Sequence, residues 1–357
     1  MDFSGATLDS RAVRPGMLFV AIKGEKVDGR DFIPAALAKG AAGVVEGREE
    51  LARVAREYRR SLGATVVGVT GSAGKTTVKE LTAAFLSTLG KTHATAGNYN
   101  NDLGLPLTIL NCPKDAKFLV VEMGTNHPGE IANLASIAEP DVGLVSSIGT
   151  AHIEFFGTQE GIAREKGNLL AALSARSPAA KSFAVLAREN PQYDVLASMS
   201  AAPVVTTSMD DPEAAAFATA LRDRLPGPHN VSNALIAFAC ARQFGATLES
   251  CLAALADFKL PGDRWRKVVS DGVTFVSDCY NANPTSMMAA LETFAAEPCA
   301  GRRVAVLGEM YELGPRSAEL HAQVKAKAGS LGFDRVIYVG EAFGGTSVEE
   351  AGRQLRD

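Results

Sequence analysis

The chain has little of the charge or hydrophobicity expected of a protein that binds nucleic acid or spans a membrane. Its 357 residues carry 36 Lys and Arg against 40 Asp and Glu, a net charge of −4. Binding to a phosphate backbone needs clustered basic charge, which this balance disfavours. No run of about 18 apolar residues occurs that could cross a bilayer. We therefore expect neither a nucleic acid partner nor membrane insertion.

Cysteine is also scarce, and its spacing suits neither a metal site nor a disulfide framework. The five cysteines show no CxxC or zinc pattern. The first residues, MDFSGATLDSR, lack the basic and apolar segments of a secretory signal. Both observations predict a cytoplasmic protein with reduced thiols. The cysteines are Cys112, Cys240, Cys251, Cys279 and Cys299.

Aromatic residues make up only 6% of the chain, whereas glycine is abundant, with 34 residues. This balance favours an α/β protein with many strand-to-helix turns over an all-β protein. The length predicts two or three domains. The succession of strand and helix patterns is interrupted near Gly63 and near Pro261-Gly262. These interruptions predict three domains, at 1–62, 63–262 and 263–357.

Short apolar segments alternate with helical patterns, as expected for parallel sheets flanked by helices. The predicted strands are 18–24, 65–69, 118–121, 143–148, 183–187, 273–277, 303–307 and 335–339. The predicted helices are 49–61, 285–295 and 317–330, with a helix, turn and strand within 32–46. The Ala-rich segments 171–181 and 197–218 are predicted to be helical or loop. Ligands of open α/β sheets bind beyond the carboxyl ends of strands, so chemistry is expected there.

The segment GVTGSAGKTT (68–77) lies between a buried strand and an amphipathic helix. In this setting a P-loop binds phosphate with backbone N–H groups, Lys75 pairs with phosphate oxygens, and the Thr76 hydroxyl reaches Mg²⁺. The strict pattern fails at Val69, which replaces the first glycine. A glycine-rich turn with an incidental lysine is the alternative, but a nucleotide triphosphate site is the stronger interpretation. The residues expected to bind nucleotide phosphates are Gly71, Ser72, Gly74, Lys75, Thr76 and Thr77.

Three further residues follow strands or lie on a nearby helix. Glu122 ends the strand at 118–121 and is suited to Mg²⁺, although a solvated Glu at a strand end is the simple alternative. His152 follows the strand at 143–148, where spacing alone leaves structural and functional roles equally open. Lys166 falls on the apolar face of a predicted helix. It either extends its amine to solvent or is buried, with a lowered pKa and the capacity to react.

With these residues placed, the chain resembles the Mur ligase family over nearly its whole length. The features shared with the family at large are TGSAGKTT (70–77), AHIE (151–154), Lys166 and HNVSNALIA (229–237). Four further segments resemble the branch of the family that adds D-Ala-D-Ala. They are 97–110, 121–131, 278–287 and 306–321. Several long matches in the right order are more specific than any one motif.

The resemblance implies a three-domain α/β architecture: a small N-terminal α/β domain, a central P-loop domain with a parallel sheet, and a Rossmann-like C-terminal domain. It implies an ATP-dependent, ADP-forming ligase that adds D-Ala-D-Ala to UDP-N-acetylmuramoyl-tripeptide in peptidoglycan synthesis. The tripeptide carboxylate would attack the γ-phosphate of ATP, and the dipeptide amine would then attack the resulting acyl phosphate. Two Mg²⁺ ions and a monomeric protein are also implied.

The family's catalytic and metal-binding residues fall on matching positions of this chain. The resemblance implies that Lys75, His152 and Lys166 are catalytic. It implies metal binding by Thr76, Glu122, His152 and Lys166, the lysine being carbamylated so that it becomes an anion.

Nucleotide and substrate contacts carry over in the same way. Asn233 matches the residue that contacts adenine, whereas Arg264 and Asp278 match third-domain residues that close on the nucleotide. The remaining matches are residues implied to bind the UDP-muramoyl substrate. They are Ser10, Arg11, Lys23, Asn98, Asn100 and Asn101.

The chain also departs from the family pattern. Arg30 stands where the first domain usually has His, and Asn168 replaces an acidic residue after Lys166. The sequence stops at Asp357, before the closing strand usual in the family, so we expect a shortened third domain. Three alternatives stay open: a Mur ligase with a different amino acid substrate, a non-catalytic Mur-like protein that binds nucleotide or UDP-sugar, and a P-loop kinase.

Overall fold

The computed structural model of the chain describes residues 3–174 and 181–355. Its first sheet is parallel and has three strands, β1 (Ala6–Thr7), β2 (Leu18–Ala21) and β3 (Gly43–Glu46), paired in that order. Helix α1 (Ile33–Ala38) lies between β2 and β3, and helix α2 (Gly47–Ser61) follows β3. The helix and strand predicted within 32–46 and the helix predicted at 49–61 are confirmed.

A six-stranded parallel sheet lies at the centre of the molecule. Its strands are β4 (Thr65–Thr70), β5 (Thr92–Ala94), β6 (Phe118–Glu122), β7 (Val142–Val145), β8 (Phe183–Ala187) and β9 (Val204–Thr207). They pair in the order β5-β6-β4-β7-β8-β9. Because β6, β4 and β7 are adjacent, the polar residues that follow them share one edge of the sheet.

Nine helices accompany this sheet in the described part of the chain. They are α3 (Lys75–Ser87), α4 (Gly104–Leu110), α5 (Glu130–Ala138), α6 (Ile153–Phe156), α7 (Gln159–Ala171), α8 (Tyr193–Met199), α9 (Ala214–Leu221), α10 (Pro228–Gln243) and α11 (Leu248–Ala254).

The core of the central region lies on both faces of its sheet. Val67 of β4 packs in one cluster with Phe85 of α3, whereas its neighbour Val66 packs in another with Leu134 of α5. Successive side chains of a strand point to opposite faces, so a strand covered on both faces is apolar throughout. This explains the continuous run TVVGVT of β4, five of whose six residues are buried. The ends of the strands are left for ligands.

The sequence prediction was wrong for part of the segment 197–218. Val204–Thr207 forms strand β9 at the edge of the central sheet, where it pairs with β8. The prediction missed it because four residues flanked by Ala-rich helices give little period-two signal. The short strand β5 was missed for the same reason. In the segment 171–181, helix α7 ends at Ala171 and residues 175–180 lie outside the described ranges.

The third region contains two small sheets. Strands β10 (Arg266–Ser270) and β11 (Val273–Ser277) form an antiparallel hairpin, and β12 (Val304–Leu307) pairs in parallel with β13 (Arg335–Tyr338). Helices α12 (Pro284–Ala296) and α13 (Ser317–Ser330) pack against each other, and α14 (Val348–Gln354) follows β13.

The unit β12-α13-β13 is the parallel strand–helix–strand arrangement expected of a Rossmann-like domain. The strand predicted at 273–277 is present, but it pairs with β10 rather than with β12. The boundaries at 62 and 262 remain a prediction. No helix within the described ranges is both long and apolar enough to cross a membrane.

Candidate active site

A cleft of about 1140 Å³ lies at the carboxyl ends of β4, β6 and β7, facing the start of the third region. It brings together most of the residues singled out from the sequence. Those that line it are Ser72, Gly74, Lys75, Thr76, Thr77, Asn98, Asn100, Asn101, Glu122, His152, Asn233, Arg264 and Asp278.

The loop between β4 and α3 needs glycine at two positions. Gly71 has φ +151°, and a Cβ there would lie 2.0 Å from Ser146 Oγ. Gly74 begins α3 with φ +80°, and its Cβ would lie 2.7 Å from Asn233 Oδ1. The backbone N–H of Ser72 donates to the carbonyl of Ser147 at 2.7 Å, which ties the loop to the end of β7. The loop therefore has the tight geometry of a phosphate-binding turn.

Lys75 is the first residue of α3, and its ammonium lies inside the curve of the loop. Its Nζ donates to the carbonyl of Gly71 at 3.0 Å. Burial lowers the pKa of Lys75, the charge of Glu122 opposes that shift, and Arg264 adds to it. The next residue, Thr76, accepts a hydrogen bond from Arg264 Nη2 at 3.2 Å. A cationic centre thus lies where phosphate would enter.

Glu122, the last residue of β6, is buried, with 2% of its surface exposed. Asn100 Nδ2 donates to its Oε1 at 2.8 Å. The backbone N–H of Glu122 donates to Thr95 Oγ1 at 3.0 Å. Its Oε2 has no hydrogen-bond partner among the described residues. One carboxylate oxygen is therefore fixed and the other is available to a ligand.

Lys166 on α7 is buried, with 1% of its surface exposed, so the alternative in which its amine extends to solvent is wrong. Its Nζ has no hydrogen-bond partner in the part of the chain that the structure describes. Burial holds the pKa of Lys166 well below 10.5, and the charge of Lys75 lowers it further. A buried amine in this environment is disposed to be neutral and nucleophilic.

His152 lies where a loop of the third region meets the central one. Its Nδ1 forms a short hydrogen bond with Glu312 Oε2, although the two residues are 160 positions apart. His152 is the N-cap of α6 and has φ +60°. Sequence reasoning did not single out Glu312 individually, because only folding brings it to this histidine.

The nucleotide-contact candidates lie in the cleft, with Asn233 and Arg264 beside the phosphate loop. Asn233 of α10 is buried, and its Nδ2 donates to Asn230 Oδ1 at 3.3 Å. The guanidinium of Arg264 lies 3.7 Å from the ring centroid of Tyr280. Burial raises the pKa of Asp278, which lies beside the same guanidinium.

The three first-domain candidates are not brought to this cleft. Ser10, Arg11 and Lys23 do not line it, and Arg11 forms a double hydrogen bond with Asp9 on the surface. Conversely, the cleft contains Trp265, which sequence reasoning did not select. Its only sequence signal is its position next to Arg264.

Three family models match the chain in succession. The Mur ligase family, catalytic domain, matches residues 2–86, and the Mur ligase middle domain matches residues 69–241. The Mur ligase, glutamate ligase domain, matches residues 263–357.

Individual proteins are similar over most of their length. The UDP-N-acetylmuramoyl-tripeptide–D-alanyl-D-alanine ligase of Escherichia coli (strain K12) is 36% identical, covering 94% of this chain and 81% of its own. A crystal structure of MurF from Acinetobacter baumannii superposes with a TM-score of 0.82 at 27% identity, covering 94% of this chain and 80% of its own. MurF from Thermotoga maritima in complex with ADP gives a TM-score of 0.81 at 29% identity, covering 98% and 90%.

Proposed function

The chain belongs to the Mur ligase family, and from this premise we propose that it is an ATP-dependent ligase of the MurF type. It joins D-Ala-D-Ala to UDP-N-acetylmuramoyl-tripeptide in peptidoglycan synthesis, as the names of its relatives indicate. The observation that carries this proposal is that Lys75, Glu122 and His152 line one cleft at the edge of the central sheet. Lys166 does not line the cleft, but it lies close enough to Lys75 and His152 for the charges to interact.

The reaction would proceed in two steps. A carboxylate oxygen of the tripeptide attacks the γ-phosphorus of ATP, forming an acyl phosphate and releasing ADP. The dipeptide amine then attacks the acyl carbon, an amide bond forms, and phosphate leaves with the bonding electron pair while the amine loses a proton. Lys75 and Arg264 lie where they can neutralise phosphate oxygens in both steps. Catalysis of this kind depends on positioning and charge neutralisation.

We propose that the cleft holds Mg²⁺ with the nucleotide. Glu122 Oε2 is buried without a protein partner, and a hard oxygen donor in that condition suits a divalent cation. The Thr76 hydroxyl and the His152 ring, both in the cleft, are further candidates. Mg²⁺ would supply positive charge to the transferring phosphate. The described residues contain no group of three or more His, Cys, Asp or Glu that could hold a metal unaided.

Carbamylation of Lys166 would supply the missing anionic donor. The neutral amine attacks CO₂, an N–C bond forms, and one proton is released, which leaves a carbamate anion. Two properties of Lys166 support this proposal: its amine is buried without a partner, and its pKa is lowered. The carbamate would also place a negative charge near the Lys75 side chain.

The remaining assignments are likewise proposals. Asn233 would contact the adenine, and Arg264 and Asp278 would close on the nucleotide. We also propose a monomeric protein that acts in the cytoplasm. The substrate would be held by residues of the cleft and of the first domain, namely Asn98, Asn100, Asn101, Ser10, Arg11 and Lys23.

The test is release of phosphate from ATP by the full chain. We expect release only when UDP-N-acetylmuramoyl-tripeptide and D-Ala-D-Ala are both present. Release with a single amino acid in place of the dipeptide would point to a different Mur ligase. Binding of nucleotide without turnover in any combination would overturn the enzymatic assignment in favour of a non-catalytic binding protein.

A further inference from the structure

Backbone strain in this protein is concentrated at the cleft. Five residues other than glycine have a positive φ among those the structure describes, and three of them, His152, Trp265 and Glu312, lie at or beside the cleft. His152 and Glu312 both have φ +60°. Such conformations are unfavourable for residues other than glycine and persist where the surrounding structure enforces them. One side-chain hydrogen bond joins these two residues, which indicates that the fold maintains their contact.

The segment 310–314, which carries Glu312, is anchored on both sides. Met310 and Leu313 are buried at 3% and 2% exposure. The backbone N–H of Met310 donates to Nε2 of the buried His321 at 3.1 Å. Glu312 is thus held between two apolar anchors.

The same segment lies directly against helix α6. Gly314 has φ +53°, and a Cβ there would lie 3.0 Å from Glu154 Cγ. The close approach of this glycine to α6 places the segment beside His152, the residue that begins that helix. The position of Glu312 relative to His152 is therefore set by packing, not by its own side chain.

The contact determines which ring nitrogen of His152 carries a proton. An ionised carboxylate only accepts hydrogen bonds, so the Nδ1 that faces Glu312 must be the donor. The neutral ring then has an unprotonated Nε2, the atom able to bind a metal or accept a proton. Histidines that bind metals commonly donate their other N–H to a carboxylate, which fixes the tautomer and the ring orientation.

We propose that Glu312 is a positioning residue that fixes the tautomer and orientation of His152 for the ligase reaction. This inference rests on the proposed function, because it assigns His152 to the reacting site. Glu312 belongs to the third region, whereas His152 belongs to the central one. His152 is therefore oriented only when the third region packs against the central one. The same movement would close the cleft and complete the site.

Kinetics of Glu312→Ala and Glu312→Gln test the inference. Glu312→Ala should lower kcat by about 10- to 100-fold, the usual effect of losing such a partner. Glu312→Gln, which keeps a neutral acceptor, should lie between Ala and wild type. KM for ATP and for D-Ala-D-Ala should each change by less than about threefold, because neither ligand loses a contact. Glu319→Ala is the matched control, since Glu319 pairs with Arg316 on the exposed surface of α13.

A double-mutant cycle separates positioning from direct substrate contact. In a His152→Gln background, Glu312→Ala should change kcat by less than about twofold, because its effect acts through the missing ring. If the two substitutions lower kcat by independent factors that multiply in the double variant, the inference is overturned. A raised KM for D-Ala-D-Ala with unchanged kcat would do so as well, since it would make Glu312 a substrate contact.

The ring of His152 can also be observed without turnover. Nitrogen-15 spectra of the full chain with ADP bound should show the His152 ring with a protonated Nδ1 and an unprotonated Nε2. The signal is assigned by its loss in His152→Gln, which is practical because the chain has five histidines. Glu312→Ala should shift the ring toward the other tautomer. If the spectrum is unchanged in that variant, the inference fails whatever the activity; if the wild type shows no turnover, only the proposed function fails.

Discussion

The side-chain amide of Asn100 holds one oxygen of Glu122 at 2.8 Å, and the other oxygen of this buried carboxylate has no protein partner. The sequence resemblance implied that Asn100 contacts the muramoyl substrate. Asn100 lines the cleft, and its Nδ2 also orients the carboxylate proposed to bind Mg²⁺. The backbone supports the same arrangement, because the N–H of Gly124 donates to the carbonyl of Asn100 at 2.8 Å.

Asn100→Asp should therefore weaken the response to Mg²⁺. The new carboxylate cannot donate a hydrogen bond to Glu122 and brings a like charge against it. We expect at least about a tenfold loss of activity and a raised Mg²⁺ requirement. Titration of phosphate release against Mg²⁺ measures both quantities. Asn111→Ala is the control, since its amide only joins Ala6 and Leu107 backbone atoms. An Asn100→Asp enzyme with the wild-type Mg²⁺ dependence would contradict the assignment.

Lys166→Ala should lower activity by about 100-fold or more, because a carbamate could no longer form. Added short carboxylates should restore part of that activity by occupying the space of the side chain. The control is Lys79→Ala, which also removes a buried lysine; Lys79 Nζ donates to the Thr95 carbonyl at 2.6 Å. Carboxylates should not rescue that variant. Full activity of Lys166→Ala would exclude a carbamate at this position.

Asp141→Asn should destabilise the fold by about 3–5 kcal/mol, because it leaves the charge of Arg59 buried without its carboxylate. Arg59 Nη2 lies 2.9 Å from Asp141 Oδ2, and the two side chains are 0% and 5% exposed. The pair joins α2 to the central sheet, where the backbone N–H of Val66 also donates to Asp141. Arg60→Ala, at a neighbouring exposed pair, should cost far less, because solvent screens the charges. Denaturant unfolding measures the free energy of unfolding of both variants. Equal losses of stability in the two variants would refute the prediction.

Acidification should destabilise the protein partly through His93. Burial lowers the pKa of His93 below 6.5, and its hydrogen bond to the Thr108 carbonyl only partly opposes the shift. Below pH 6.5 the unfolded chain therefore takes up a proton that the folded chain does not, so stability falls as the pH decreases toward the folded pKa. In His93→Gln the loss of Tm between about pH 7.5 and 5.5 should be smaller than in the wild type. If Tm falls by the same amount in His93→Gln and in the wild type, His93 does not contribute to the destabilisation by acid.

Local patterns predicted the central sheet and much of the cleft. The valines of β4 predicted a buried strand, and the glycines at 71 and 74 predicted a tight turn. Both features can be predicted because they depend on residues close together in the sequence. The position of Lys166 on an apolar helix face was visible too, but its burial was not. Whether such a lysine is buried depends on what covers the helix, and that is decided by distant segments.

The roles of Asn100 and Glu312 were beyond sequence reasoning for a related reason. Asn100 reaches Glu122 across 22 positions, and Glu312 reaches His152 across 160. Neither contact follows from helix or strand periodicity, since each joins a loop residue to the end of an element that is distant in the sequence. The strained backbone of Glu312 likewise carries no local signal, because glutamate is not among the residue types enriched at positive φ.

Trp265 is the chain's only tryptophan, and it lies in the wall of the cleft beside Arg264. Its indole is 8% exposed, and Nε1 has no hydrogen-bond partner in the described structure. Tryptophan fluorescence from this protein therefore comes from a single place, the junction between the nucleotide-binding loop and the third region. The chain has a native optical probe there, so the rates of nucleotide entry and of cleft opening can be followed by rapid mixing without any label.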